Sequence, residues 1–153
     1  MSNEYKTIVV PVDGSILADL AYQKAKRYAE TYDSKLIILN VVDTTSIEMH
    51  DFEFGIDLDP VLESAQTFIN DYAEDAKKSS IDYEAIATVG NAKNVILKTI
   101  EEKQADAIFM GASGTNAITR LIIGSTTDFI VRHAPIDVFV VKTHLDNHTR
   151  PTH

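Results

Sequence analysis

Residues 106–142 read DAIFMGASGTNAITRLIIGSTTDFIVRHAPIDVFVVK. In order they hold an apolar run, a glycine-spaced turn, a short helix and a second apolar run. The runs at 106–112 and 137–142 are nearly continuous in apolar residues, the pattern of parallel strands covered on both faces. The helix expected over 124–133 ends before Pro135, which cannot continue it. Strand, crossover helix and strand make one parallel unit.

The same alternation extends back to the start of the chain. Further strands are expected at 6–12 (KTIVVPV), 35–42 (KLIILNVV) and 83–89 (YEAIATV). The last of these alternates more and suits a sheet edge. Residues 16–32 space Leu17, Leu20, Ala21, Ala25, Tyr28 and Ala29 by three or four, which predicts a helix. Ser15 or Asp13 stands where its cap belongs. Residues 59–79 carry a second helical pattern through Leu62, Ala65, Phe68, Ile69, Tyr72 and Ala76, with Pro60 in its first turn. Residues 92–103 carry a third, through Val95, Ile96 and Ile100. The expected fold is therefore a single layered α/β domain with a mainly parallel sheet over residues 1–143. The stretch 44–58 is long for a connection, and 144–153 (HLDNHTRPTH) is a polar tail.

Composition narrows the function classes. A length of 153 residues and 44% apolar content suit one domain with a sizeable core. A net charge of −9 argues against nucleic acid and against an anionic membrane surface as partners. With no cysteine, thiolate catalysis and cysteine-rich metal sites are excluded. The start MSNEYKTIVV lacks the pattern of a signal peptide, and no apolar stretch approaches ~20 residues, so the expected location is cytoplasmic. His50, His133, His144, His148 and His153 are scattered, and His133 reads as closing a helix.

Open parallel sheets bind ligands beyond the carboxyl ends of their strands, where the strand order reverses. Three clusters fall at such ends: Pro11-Val12-Asp13-Gly14-Ser15, Asn40-Val41-Val42-Asp43 and Gly111-Ala112-Ser113-Gly114. The third continues to Gly124-Ser125-Thr126, nine residues beyond Gly114, where a helix opens. Glycines allow backbone N–H groups to approach a ligand, and a helix start favours an anion. Together they are expected to wrap a polyphosphate without a lysine, although a plain turn would also explain the two glycines three apart. It is neither a Walker loop nor the Rossmann glycine triplet.

Over residues 5–142 the chain resembles the universal stress protein family. The strongest likeness is Gly111-x2-Gly114-x9-Gly124-Ser125, the ATP-binding signature of that family's nucleotide-binding branch; VVPVDGS, LNVVD, TVGNAKNVI and RHAPIDVFVVK are further landmarks. The resemblance implies an open five-stranded sheet of order 3-2-1-4-5, helices on both faces, and bound ATP. Pro11, Val12 and Asp13 would border the adenosine, and Val41 would meet the adenine edge. Met110 and Gly111 would line the ribose and first phosphate; Gly114, Gly124, Ser125 and Thr126 would hold the phosphates. It also implies a homodimer made with the last strand, Val138–Val141, whose apolar edge invites pairing.

Charge constrains this arrangement. Asp13 beside a bare phosphate would be repelled by ~4 kcal/mol at 4 Å and effective dielectric 20. Asp13 therefore belongs on a ribose hydroxyl or on a shared Mg²⁺ or Mn²⁺. The expected function is an ATP-binding regulatory protein in stress adaptation, acting as a homodimer, with no catalytic residue assigned and without efficient turnover. The alternatives are a slow ATP hydrolase or nucleotidyl transferase on the same architecture, and a nucleotide-free scaffold. A phosphoacceptor switch would want an aspartate after the third strand, where this chain has Thr88-Val89-Gly90.

Overall fold

The computed structural model describes residues 4–44, 55, 57–114 and 123–143. Along them run β1 (Thr7–Pro11), α1 (Ile16–Tyr32), β2 (Lys35–Asp43), α2 (Asp59–Lys78) and β3 (Tyr83–Gly90). They are followed by α3 (Ala92–Glu102), β4 (Ala107–Gly111), α4 (Ser125–His133) and β5 (Asp137–Val141). The strands form one sheet of order β3-β2-β1-β4-β5, parallel at every pairing. The expected order and the edge position of β3 are both found. Most of the stretch at 44–58, and the tail from 144, lie outside the described residues.

Each sheet face carries its own core, because the strand runs are apolar on both sides. On one face Ile8, Val10, Leu36, Ile38 and Phe109 meet Tyr22, Ala25 and Ala29 of α1 and Ile69, Tyr72 and Ala76 of α2. On the other, Val9, Ile37, Leu39, Ile108 and Met110 meet Ile96 and Ile100 of α3 and Ile130 of α4. The buried stripe of α1 is mostly alanine, which lets that helix lie close to the strands. Ser15 is its cap, accepting the Ala18 N–H at 3.2 Å. Asn91 caps α3 in the same way, accepting the Asn94 N–H at 3.2 Å.

Two tyrosine–aspartate pairs lock α1 to α2 reciprocally. The Tyr22 hydroxyl donates to Asp75 at 2.7 Å, and the Tyr72 hydroxyl donates to Asp19 at 3.0 Å. The two rings meet edge to face with centroids 4.7 Å apart. Lys26 completes the group, 2.9 Å from Asp75. Burial pushes the Asp75 carboxyl up, but the hydrogen bonds from Tyr22 and Lys26 outweigh it and hold it below its ordinary 3.8. A depressed carboxyl contributes stability above its unfolded-state pKa and loses it as pH falls through the lowered folded value. Asp75→Asn should therefore lower the urea midpoint at neutral pH, and the difference from the parent should shrink as pH falls through the lowered folded value. With Asp75 43% exposed, the neutral-pH loss is expected to be about 1 kcal/mol or less.

Candidate functional site

The strand register opens a crevice at the top of the sheet. β1 pairs with β2 as far as Pro11 opposite Leu39, whereas β2 continues beside β3 to Asp43 opposite Gly90. β1 and β4 share the register pairs Ile8–Ala107 and Val9–Ile108 and then part. From β1 the chain proceeds to β2 and β3 on one side; from β4 it proceeds to β5 on the other. The gap between their ends is the reversal point at which open α/β sheets bind ligands.

The crevice holds about 640 Å³, within the usual range for a small-molecule site. Pro11, Val12, Asp13, Val41, Met110, Gly111, Gly114, Gly124, Ser125 and Thr126 all line it. These ten positions come from the ends of β1, β2 and β4 and from the start of α4. Arg120 lies outside the described residues.

Hydrogen bonds fix each wall. At the β1 side, Val12 N–H donates to the Leu39 carbonyl at 2.8 Å, and the Asn40 amide donates to the Val12 carbonyl at 2.7 Å. The next residue, Asp13, is exposed, and its Oδ1 accepts the Ser15 N–H at 3.0 Å. That contact folds the turn into α1 and aims the carboxylate at the crevice mouth. At the β4 side, Gly124 N–H donates to the Ala112 carbonyl at 2.8 Å, and the Thr127 hydroxyl donates to the Gly111 carbonyl at 2.8 Å.

Two of the glycines lie in close approach to α1 or to the loop before it. A Cβ on Gly111 would lie 2.8 Å from Leu17 Cβ and 2.9 Å from the Leu17 carbonyl carbon, so only glycine lets α1 seat against β4. A Cβ on Gly114 would lie 2.6 Å from Asp13 Oδ2, so the two loops nearly touch across the crevice. Gly124 caps α4 without a side-chain bond, leaving first-turn N–H groups to other acceptors.

Thr127, Ser113, Ala92 and Ile96 also line the crevice; of these, Ser113 was expected in a strand-end cluster and Ile96 on a helix face, and none with a site role. Thr127 stands three residues before buried Ile130 on the inward face of α4, a spacing that by itself reads as core. Ala92 and Ile96 enter because the start of α3 lies under the extended end of β2. Asp13 and Asp43 are the carboxylates among the described lining residues. Among the described residues, no group of three or more His, Asp or Glu side chains is placed to hold a metal ion. No described helix is long and apolar enough to cross a membrane.

Comparison with known proteins agrees with this architecture. The model of the universal stress protein family matches residues 4–142. A putative universal stress protein of Staphylococcus aureus is 40% identical over 144 residues, covering 91% of this chain and 85% of the relative. The solved universal stress protein UspA of Lactobacillus plantarum superposes with TM-score 0.71 at 30% identity, covering 92% of this chain and 100% of that one. Two more distant structures share the fold and contain a nucleotide. One is a universal stress protein in complex with cAMP, at TM-score 0.66 and 23% identity, covering 92% of this chain and 98% of that one. The other, from Arabidopsis thaliana with AMP bound, has TM-score 0.65 and 18% identity, covering 95% and 97%.

Proposed function

The chain belongs to the universal stress protein family, and from that premise we propose that it is a regulatory protein whose crevice holds ATP. The observation that carries the reading is convergence. Ten positions drawn from four separated segments line one crevice at the reversal point of the sheet. The cAMP and AMP complexes of distant relatives support an adenine nucleotide as the ligand.

In this reading Pro11, Val12 and Asp13 border the nucleoside, and the Val41 backbone meets the adenine edge. Met110 and Gly111 line the ribose and first phosphate. Gly114, Gly124, Ser125 and Thr126 receive the phosphates, where the first-turn N–H groups of α4 and two hydroxyls supply donors. Asp13 contributes one carboxylate, so Mg²⁺ or Mn²⁺ would take its remaining oxygens from phosphate and water. Such an ion would offset phosphate charge near an acidic wall.

The reading is one of holding ATP more than of consuming it. Phosphoryl transfer to water needs an oriented nucleophile and a stabiliser of transition-state charge. The described lining offers amides, hydroxyls and two aspartates, a set suited to recognition. Isothermal titration with ATP and Mg²⁺ is expected to show one site per chain, competed by AMP and cAMP and little affected by GTP. Failure of every adenine nucleotide to bind would overturn the reading.

The functional unit is proposed to be a homodimer joined through β5. The support is that β5 is the last strand at one edge of the sheet and presents Phe139 38% exposed between Val138 and Val140. Apolar edges of this kind are templates for pairing. Sedimentation at micromolar concentration is expected to give twice the chain mass, and a chain that stays monomeric there would refute the dimer.

A further inference from the structure

Three hydroxyl residues open α4, and they are not equivalent. Ser125 is exposed, Thr126 is half-buried and Thr127 is buried. A threonine in a helix often turns its hydroxyl back onto its own helix. The Thr127 hydroxyl instead reaches a strand carbonyl sixteen residues upstream, that of Gly111, at 2.8 Å. Three residues before Thr127, the Gly124 N–H donates to the following carbonyl, that of Ala112, at 2.8 Å. Two successive carbonyls at the end of β4 thus hold α4 at two points nearly one helical turn apart. One point would fix the position of the helix start; two fix its direction as well.

From this geometry we infer that Thr127 is a positioning residue for the phosphate half of the crevice, an inference that rests on the nucleotide reading above. The free N–H groups at a helix start favour an anion only over the first turn and only along the helix axis. Without the Thr127 hydroxyl, the Gly111 carbonyl loses that donor, and of these two hydrogen bonds from α4 to the end of β4 the Gly124–Ala112 bond is left. The nucleoside half has separate supports, the Val12–Leu39 and Asn40–Val12 hydrogen bonds on the other wall. Loss of the hydroxyl therefore acts selectively on the part of the affinity that phosphate adds.

The test compares adenosine, AMP and ATP by titration calorimetry on the full chain, with equal Mg²⁺ throughout. Thr127→Val keeps the shape and removes the hydroxyl. It is expected to leave adenosine affinity within about twofold of the parent and to weaken AMP and ATP by roughly tenfold. Thr127→Ser, which keeps the hydroxyl, is expected to restore the phosphate increment. If Thr127→Val unfolds, Thr127→Ser against Thr127→Ala isolates the same hydroxyl without filling the space. Equal loss for adenosine and both nucleotides would overturn the inference and leave the nucleotide reading standing, as would no loss for any of the three. A parent chain that binds no adenine nucleotide would overturn both.

Discussion

Gly111→Ala is expected to lower the melting temperature by roughly 6–12 °C, the largest stability loss anticipated for a single methyl group in this chain. The added Cβ would stand 2.8 Å from Leu17 Cβ, 2.9 Å from the Leu17 carbonyl carbon and 3.0 Å from the Ala18 nitrogen. Two of those three atoms are backbone in the first turn of α1, which Ser15 and the core contacts of Ala18 and Ala21 hold in place. Neither partner can yield by rotating a side chain. Either α1 lifts from β4 or β4 bends, and overpacking of that kind costs about 3 kcal/mol. For a chain of this size each kcal/mol is worth about 2–4 °C. Thermal unfolding by circular dichroism reads the effect directly. A change within about 2 °C of the parent, worth under about 1 kcal/mol, would mean that α1 does not seat on Gly111.

Three residues further on, the same substitution should have the opposite signature. A Cβ on Gly114 would lie 2.6 Å from Asp13 Oδ2, the far end of a side chain that can rotate. Gly114→Ala is therefore expected to fold with a melting temperature within about 3 °C of the parent. To make room, the Asp13 carboxylate must leave the position in which its Oδ1 accepts the Ser15 N–H. In the proposed complex that carboxylate meets a ribose hydroxyl or a shared cation, and a hydrogen bond to a charged group is worth about 1.5–3 kcal/mol. ATP affinity should fall by roughly 10- to 100-fold. Asp13→Ala should weaken binding by a similar factor and make the second substitution nearly silent when the two are combined. Unchanged affinity in Gly114→Ala would remove Asp13 from the proposed contact.

Much of the fold was legible because its strands are buried on both faces. The runs 35–42 and 106–112 could be little else than parallel strands, and the alternation of 83–89 marked the edge strand. Caps were legible where a side chain declares them, as Ser15 does. Strand order was not, since one apolar run looks much like another and nothing in it names its neighbour. The order 3-2-1-4-5 came from the family resemblance. In the crevice, the loops at strand ends were readable from turn residues and glycine spacing. The packing role of Gly111 was not, because it depends on how closely Leu17 approaches from a helix nearly a hundred residues earlier. Thr127 was hidden for a related reason: a threonine on an inward helix face reads as core until its partner carbonyl is known.

The sparse pairing between β1 and β4 carries a mechanical consequence. β2 and β3 share eight described register pairs and β4 and β5 share five, but β1 and β4 share two. The sheet is thus two ribbons meeting at a seam, bridged on one face by α1 at Gly111 and open at the top, where the crevice lies. A nucleotide reaching from Val41 and Asp13 to the start of α4 would rivet the ribbons at their free end. Its binding energy would then appear unevenly, as slower amide exchange along β4 and β5 more than along the well-paired β2 and β3. The ligand would be acting as the missing rungs of the ladder.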